Sequence, residues 1–189
     1  MIDLSKIQGE LTLHERNVLY NTVLRYRPGK ILEVGTGIGG STSVMAEALI
    51  EIGSGKIYTC DPQRHPSDAF FNRYKDIVKY FPIVSSELID YILNIKWVPD
   101  FIFFDGPEDE KVSIDDFLTL EKHLSSGTVF CMHDWETKKR KYDNAISVKS
   151  VLVKEYLHHS ENWKIVFELD GITYKEGEDS VGLVCAVKI

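Results

Sequence analysis

The sequence predicts an α/β fold, a mostly parallel seven-stranded sheet between two layers of helices, closed by an antiparallel pair of strands. Two observations carry this expectation. Five short apolar runs alternate with amphipathic helical stretches, which implies crossovers that cover both faces of a parallel sheet. Two more strand-like runs then end the chain with only a turn between them, so they must lie antiparallel to each other.

Taken in order, residues 1–11 read as a lead-in. A helix is expected from Thr12 to the stop at Arg27-Pro28-Gly29, with Leu19, Tyr20, Val23 and Leu24 as its apolar stripe. Ile31 to Val34 is the first buried strand, and Gly35, Gly37, Gly39 and Gly40 follow as a loop that permits tight turning and close approach of backbone to a ligand. Ser41 or Thr42 is placed to cap the next helix, whose apolar residues Val44, Met45, Ala48, Leu49 and Ile52 recur at helical intervals. Lys56 to Cys60 is the second strand, ended by Asp61. A helix is expected over Pro66–Tyr80, a third strand over Phe81–Val84, and a helix opening at Ser85-Ser86. Asp100–Phe104 is the fourth strand, followed by a helix over Val112–His123. Thr128–Met132 is the fifth strand, with His133-Asp134-Trp135 at its end. After a basic stretch containing Lys138 to Lys141, read as a solvated loop, come a helix over Ala145–His158 and strands at Trp163–Leu169 and Val181–Ile189.

A chain of 189 residues suits one domain, and its net charge of −7 argues against a general nucleic-acid or anionic-membrane surface. No apolar run approaches the roughly 18 residues of a membrane span, and the amino-terminal residues lack the pattern of a signal peptide. Cys60, Cys131 and Cys185 lie in apolar strands, as free thiols in a reducing cytoplasm would.

The glycine loop followed by a helix start offers free N–H groups to a nucleotide-like cofactor. Gly35, Gly37 and Gly40 satisfy the G-x-G-x-x-G spacing of dinucleotide binders. Glu33 argues the other way. A carboxylate there would repel a pyrophosphate and attract a ligand bearing an ammonium and a sulfonium. In this the sequence resembles the class I S-adenosylmethionine (SAM)-dependent methyltransferases, whose first motif is an acid followed by G-x-G-x-G, as in Glu33, Gly35, Gly37 and Gly39.

The resemblance implies a three-layer Rossmann-like methyltransferase fold over residues 1–189 and SAM contacts from Glu33, Gly35, Thr36, Gly37, Gly39, Ser41 and Asp105. Asp61 lies about 20 residues past the loop, where a carboxylate accepts from ribose hydroxyls, and the resemblance assigns it that role. The other reading of Asp61 is a turn before Pro62. Relatives often carry an acid after the third strand to meet the adenine. This chain has Ser85-Ser86-Glu87 instead, leaving Ser85 as the expected contact or as a helix cap.

Asp105 and His133-Asp134 stand at the ends of the fourth and fifth strands, where open sheets bind ligands. This pattern resembles the small-molecule O-methyltransferases related to the catechol type, many of which hold Mg²⁺ there. Asp105 and Asp134 are the expected metal ligands, with Glu108 or His133 as a further ligand or a general base. The metal would acidify a hydroxyl of a small-molecule acceptor. Trp135 is read as a packing residue. The competing readings are a SAM-binding protein without catalysis and an NAD-dependent oxidoreductase. The acceptor site is expected to be open, or completed by a second copy in a homo-oligomer.

Overall fold

The structure, a computed structural model, describes residues 2–63, 66–106, 109–135, 149–169, 173–174, 178–179 and 182–189. A short 3₁₀ turn, Leu4–Lys6, leads to α1 (Leu13–Tyr26). This helix begins with a capping box: the Glu15 N–H donates to the Thr12 hydroxyl, and the Thr12 N–H donates to the Glu15 carboxylate. It ends at Arg27, which takes the left-handed conformation ahead of Pro28.

There follow β1 (Lys30–Val34), α2 (Gly40–Ile52), β2 (Lys56–Cys60), α3 (Asp68–Tyr74), β3 (Val78–Phe81) and α4 (Ser85–Asn94). Then come β4 (Phe101–Phe104), α5 (Glu110–Glu121), β5 (Val129–His133), α6 (Lys149–Val151) running into a π-helical segment Leu152–Leu157, and β6 (Trp163–Leu169). A small hairpin of β7 (Thr173–Tyr174) and β8 (Glu178–Asp179) precedes β9 (Leu183–Lys188).

The main sheet has seven strands in the order β3-β2-β1-β4-β5-β9-β6. β1 to β5 pair in parallel, and β9 inserts antiparallel between β5 and β6. The predicted fold class and the reversed terminal pair are both observed. The chain turns one way from β1 to β2 and the other way to β4, so a crevice opens at the carboxyl ends of these strands.

The run Phe101-Ile102-Phe103-Phe104 shows why the central strands are apolar throughout. Phe101 and Phe103 pack under α1 and α2 with Leu19, Val23, Met45 and Leu49. Ile102 and Phe104 pack on the opposite face with Leu88, Phe117, Phe130 and Trp163. Alternate residues thus feed two separate cores, each such burial contributing roughly 2 kcal/mol.

Several boundaries differ from expectation. The helix predicted over Pro66–Tyr80 stops at Tyr74, and the third strand begins three residues early, at Val78. Parallel pairing of Ile57 with Val78 and Cys60 with Phe81 sets that register. Ile77 and Val78 suit a helix stripe and a strand equally, and the sheet edge takes them. The residue capping α2 is Gly39, not Ser41 or Thr42, and Val84 stands at the cap of α4 with Ser85 already inside. The β7–β8 hairpin lies in what reads as a long turn. The basic stretch Lys138 to Lys141 and the start of the helix predicted from Ala145 fall outside the described residues. All three cysteines are free and buried.

Candidate functional site

A cavity of about 890 Å³ opens at the carboxyl ends of β1, β2, β4 and β5. Its floor is the glycine loop. Gly35 and Thr36 both donate their N–H to the carbonyl of Cys60, at 3.0 and 3.1 Å, which ties the loop to β2. The Thr36 hydroxyl meets that of Thr59 at 2.6 Å, both buried. Gly37 has φ 54°, and a Cβ built on it would meet nothing within 4 Å. The loop crest is therefore bare where it faces the cavity.

Asp61 joins this floor from the end of β2. One of its oxygens accepts from the Gly37 N–H and the other from the Gln63 N–H, each at 2.9 Å. Ser85 reaches the cavity from the first turn of α4, and Ile38, Val84 and Val112 give it an apolar side. Of the residues the sequence singled out, Gly35, Thr36, Gly37, Ser41, Asp61, Ser85, Asp105 and Asp134 line this space.

Glu33 and Gly39 do not. Glu33 is fully buried behind the loop, where Ser41 donates to one carboxylate oxygen at 2.6 Å and Thr42 to the other at 2.5 Å. Burial pushes its carboxyl up to about 7, against the pull of the Ser41, Thr42 and Thr59 hydroxyls. The direct attraction expected of Glu33 for a cationic ligand is thus replaced by a structural role. Its strand position faces the α2 side of the sheet, so it braces the loop from beneath. Gly39 takes φ 90°, and a side chain there would strike the Phe70 ring.

The negative charge comes instead from Asp61, Asp105 and Asp134, with Glu10 at the rim. No lysine, arginine or histidine is among the described residues that line the cavity. Glu10 and its neighbours Gly9 and Leu11 belong to the stretch read as a mere lead-in. They reach the site because Gly9 lies against Gly40 at the start of α2: a Cβ on either would fall 2.8 Å from the other's Cα. Arg16 holds this segment, donating to the carbonyls of Gly9 at 3.1 Å and Leu4 at 3.3 Å. Nothing in the linear pattern marks this strap, apart from a glycine ahead of a helix cap.

At the far wall Asp105, His133 and Asp134 come together. His133 is the last residue of β5 and is buried, with its Nδ1 3.2 Å from Asp105 Oδ1 and 3.4 Å from Asp134 Oδ1. Asp134 takes a positive φ of 60°, a conformation that aspartate tolerates better than most residues. Nε2 of His133 faces Glu15 Oε2 of α1 at 3.6 Å. Burial alone would push the imidazole down. The carboxylates of Asp105, Glu15 and Asp134 outweigh it and hold the ring protonated up to about pH 10. Glu108, expected with His133 as a further ligand or a general base, lies outside the described residues. Trp135 is buried and donates its indole N–H to the Leu169 carbonyl at 3.1 Å, a packing role.

A family model described as a methyltransferase domain matches residues 32–135, more than half of the chain. The chain belongs to this methyltransferase domain family. The matched segment runs from β1 to Trp135, so it includes the glycine loop, Asp61, Asp105 and the His133-Asp134 pair. No curated protein matches the sequence of this methyltransferase.

Solved structures share its fold. An O-methyltransferase from Bacillus cereus, in complex with SAH, superimposes with a TM-score of 0.73 at 19% identity, covering 98% of this chain and 86% of that one. The O-methyltransferase TomG from Streptomyces achromogenes, involved in tomaymycin synthesis and in complex with SAM, gives a TM-score of 0.70 at 15% identity, covering 94% and 81%. Among the described residues, no helix of this methyltransferase is long and apolar enough to cross a membrane.

Proposed function

We propose that this methyltransferase moves the methyl group of SAM to an oxygen of a small-molecule acceptor, with a divalent cation held at the Asp105 corner. The observation that carries the cofactor assignment is the lining of the cavity: three aspartates, a bare glycine crest and no basic side chain among the described residues. A cationic sulfonium and ammonium suit that field, whereas the diphosphate of a dinucleotide would face Asp61, Asp105 and Asp134 with only the buried His133 to offset them. The volume fits a nucleoside-sized ligand. Asp61, in the cavity floor, would accept from ribose hydroxyls, and the patch of Ile38, Val84 and Val112 would take a flat base. That both solved relatives named above carry SAM or its product adds support.

In the reaction the acceptor oxygen attacks the methyl carbon, the carbon–sulfur bond breaks, and sulfur keeps the electron pair. The sulfonium becomes the neutral thioether of S-adenosylhomocysteine (SAH), and the acceptor's hydroxyl proton passes to solvent water. The chain supplies binding, orientation and a fixed charge distribution for this displacement.

Asp105, His133 and Asp134 fit a cation site in which a bound ion would take the place of the His133 Nδ1 proton. The atoms they offer lie within 4.8 Å of one another. One imidazole with two carboxylates suits Mn²⁺, Fe²⁺ or Zn²⁺ better than Mg²⁺, which prefers oxygen alone. A divalent ion there would acidify the acceptor hydroxyl. The acidic cavity and free thiols accord with a small neutral or cationic acceptor and a cytoplasmic setting.

The test is turnover of SAM to SAH with a panel of hydroxylated acceptors, run with EDTA and with added Mn²⁺. SAH formation that depends on acceptor is the expected result. Thermal stabilisation by NADH but not by SAH would restore the oxidoreductase reading. Tight SAH binding with no turnover on any acceptor would favour a binding protein.

A further inference from the structure

We infer that Glu15, in the first turn of α1, positions the His133 ring so that its Nδ1 is presented to Asp105 and Asp134. Glu15 is almost fully buried, at 1% exposure, although the capping box it completes needs only a hydrogen-bond acceptor that glutamine would equally provide. A buried carboxylate costs several kcal/mol unless it meets a cation or several donors. Its Oε2 accepts from the Thr12 N–H at 2.8 Å and the Thr12 hydroxyl at 2.9 Å, and that same oxygen faces His133 Nε2 at 3.6 Å.

His133 Nε2 is itself buried and makes no hydrogen bond among the described residues. The ring is thus suspended between two acidic sides, Glu15 behind it and the Asp105–Asp134 pair before it. Rotating the ring by half a turn would take Nδ1 from the two aspartates. A carboxylate behind Nε2 opposes that rotation, because at 3.6 Å it attracts the Nε2 proton electrostatically and leaves Nδ1 for the cavity side. Carboxylates that hold the outer nitrogen of a metal-binding histidine in other proteins work on the same logic. Here the carboxylate comes from the capping box of a helix, so α1 and the end of β5 are joined at the site. Glu15 touches no reacting atom and is a positioning residue.

The part of this inference that concerns a cation rests on the proposed function, and two measurements keep the parts separate. First, spectra of ¹⁵N-histidine-labelled, metal-free protein report the Nε2-bound proton of His133. It is expected to be protected in the wild type, to shift in Glu15→Gln, and to be lost to exchange in Glu15→Ala. An unchanged His133 spectrum in Glu15→Ala overturns the inference. Second, Mn²⁺ is titrated calorimetrically into SAH-loaded protein. Glu15→Gln, which keeps the cap, is expected to weaken Mn²⁺ about tenfold or more while SAH affinity stays within about twofold. Val23→Ala, which truncates a fully buried side chain of α1, controls for general destabilisation. Mn²⁺ affinity equal in Glu15→Gln and wild type overturns the cation part. Flat heats in the wild type itself, with the spectral change intact, remove the metal and leave Glu15 as the residue that orients His133.

Discussion

The backbone of Asp105 rests directly on Gly35. The Asp105 N–H donates to the Val34 carbonyl at 2.8 Å, and the Asp105 carbonyl fills the space where a side chain on Gly35 would begin. Gly106 stands against Val34 in the same way. The loop after β1 and the acid after β4 therefore form one joint. Gly35→Ala would add a methyl group at φ 95° against backbone that cannot yield. The expected result is a loss of more than about 2 kcal/mol in denaturant unfolding, together with loss of activity as Asp105 is displaced.

Gly37→Ala separates binding from folding. With φ 54° and open space around the new methyl, the backbone penalty is only about 1 kcal/mol. The methyl would stand on the loop crest that lines the cavity. Calorimetry should show SAH binding weakened by about tenfold or more, with a cooperative melt retained.

Asp61 braces the glycine loop, and the ribose contact proposed for it would draw on the same carboxylate. Asp61→Ala removes acceptors for Gly37 and Gln63 and should cost about tenfold or more in SAH affinity. Asp61→Asn keeps one acceptor oxygen and should lie between that variant and the wild type. Equal SAH affinity in all three would remove Asp61 from the cofactor site.

Glu33 predicts a pH dependence whose sign is fixed. Its carboxyl is raised from 4.5 to about 7 in the folded chain, so between those values the folded state binds the extra proton. Stability from this group is present in full below about pH 4.5 and is lost as pH rises through 7, a change on the order of 3 kcal/mol. Glu33→Gln should flatten the unfolding free energy over that window. An unchanged slope would mean that Glu33 is ionised in the folded chain.

Much of this could be read from residue patterns because the central strands are covered on both faces. Runs such as Phe101 to Phe104 and Val129 to Met132 have no other stable place. Asp61, Asp105 and Asp134 were legible for a related reason: each follows such a run at the sheet edge where ligands bind. The sheet edge was harder. Ile77 and Val78 satisfy a helix stripe and a strand alike, and only pairing with β2 decides between them. Glu33 was visible as an acid next to glycine, but which way it turns depends on the Ser41 and Thr42 hydroxyls of α2. Glu15 and Gly9 left no signal beyond a helix cap and a glycine. Their roles arise from contacts with His133 and Gly40, far along the chain, and no local spacing encodes them.

The contact of Gly9 with Gly40 means that one flank of the chamber is sewn shut by the protein's leading edge. Trimming the residues ahead of Thr12 would unroof that flank and also take Leu4 and Leu11 out of the core beneath α1 and α2. Affinity should then vanish from a protein that melts at a lower temperature but still as a single unit.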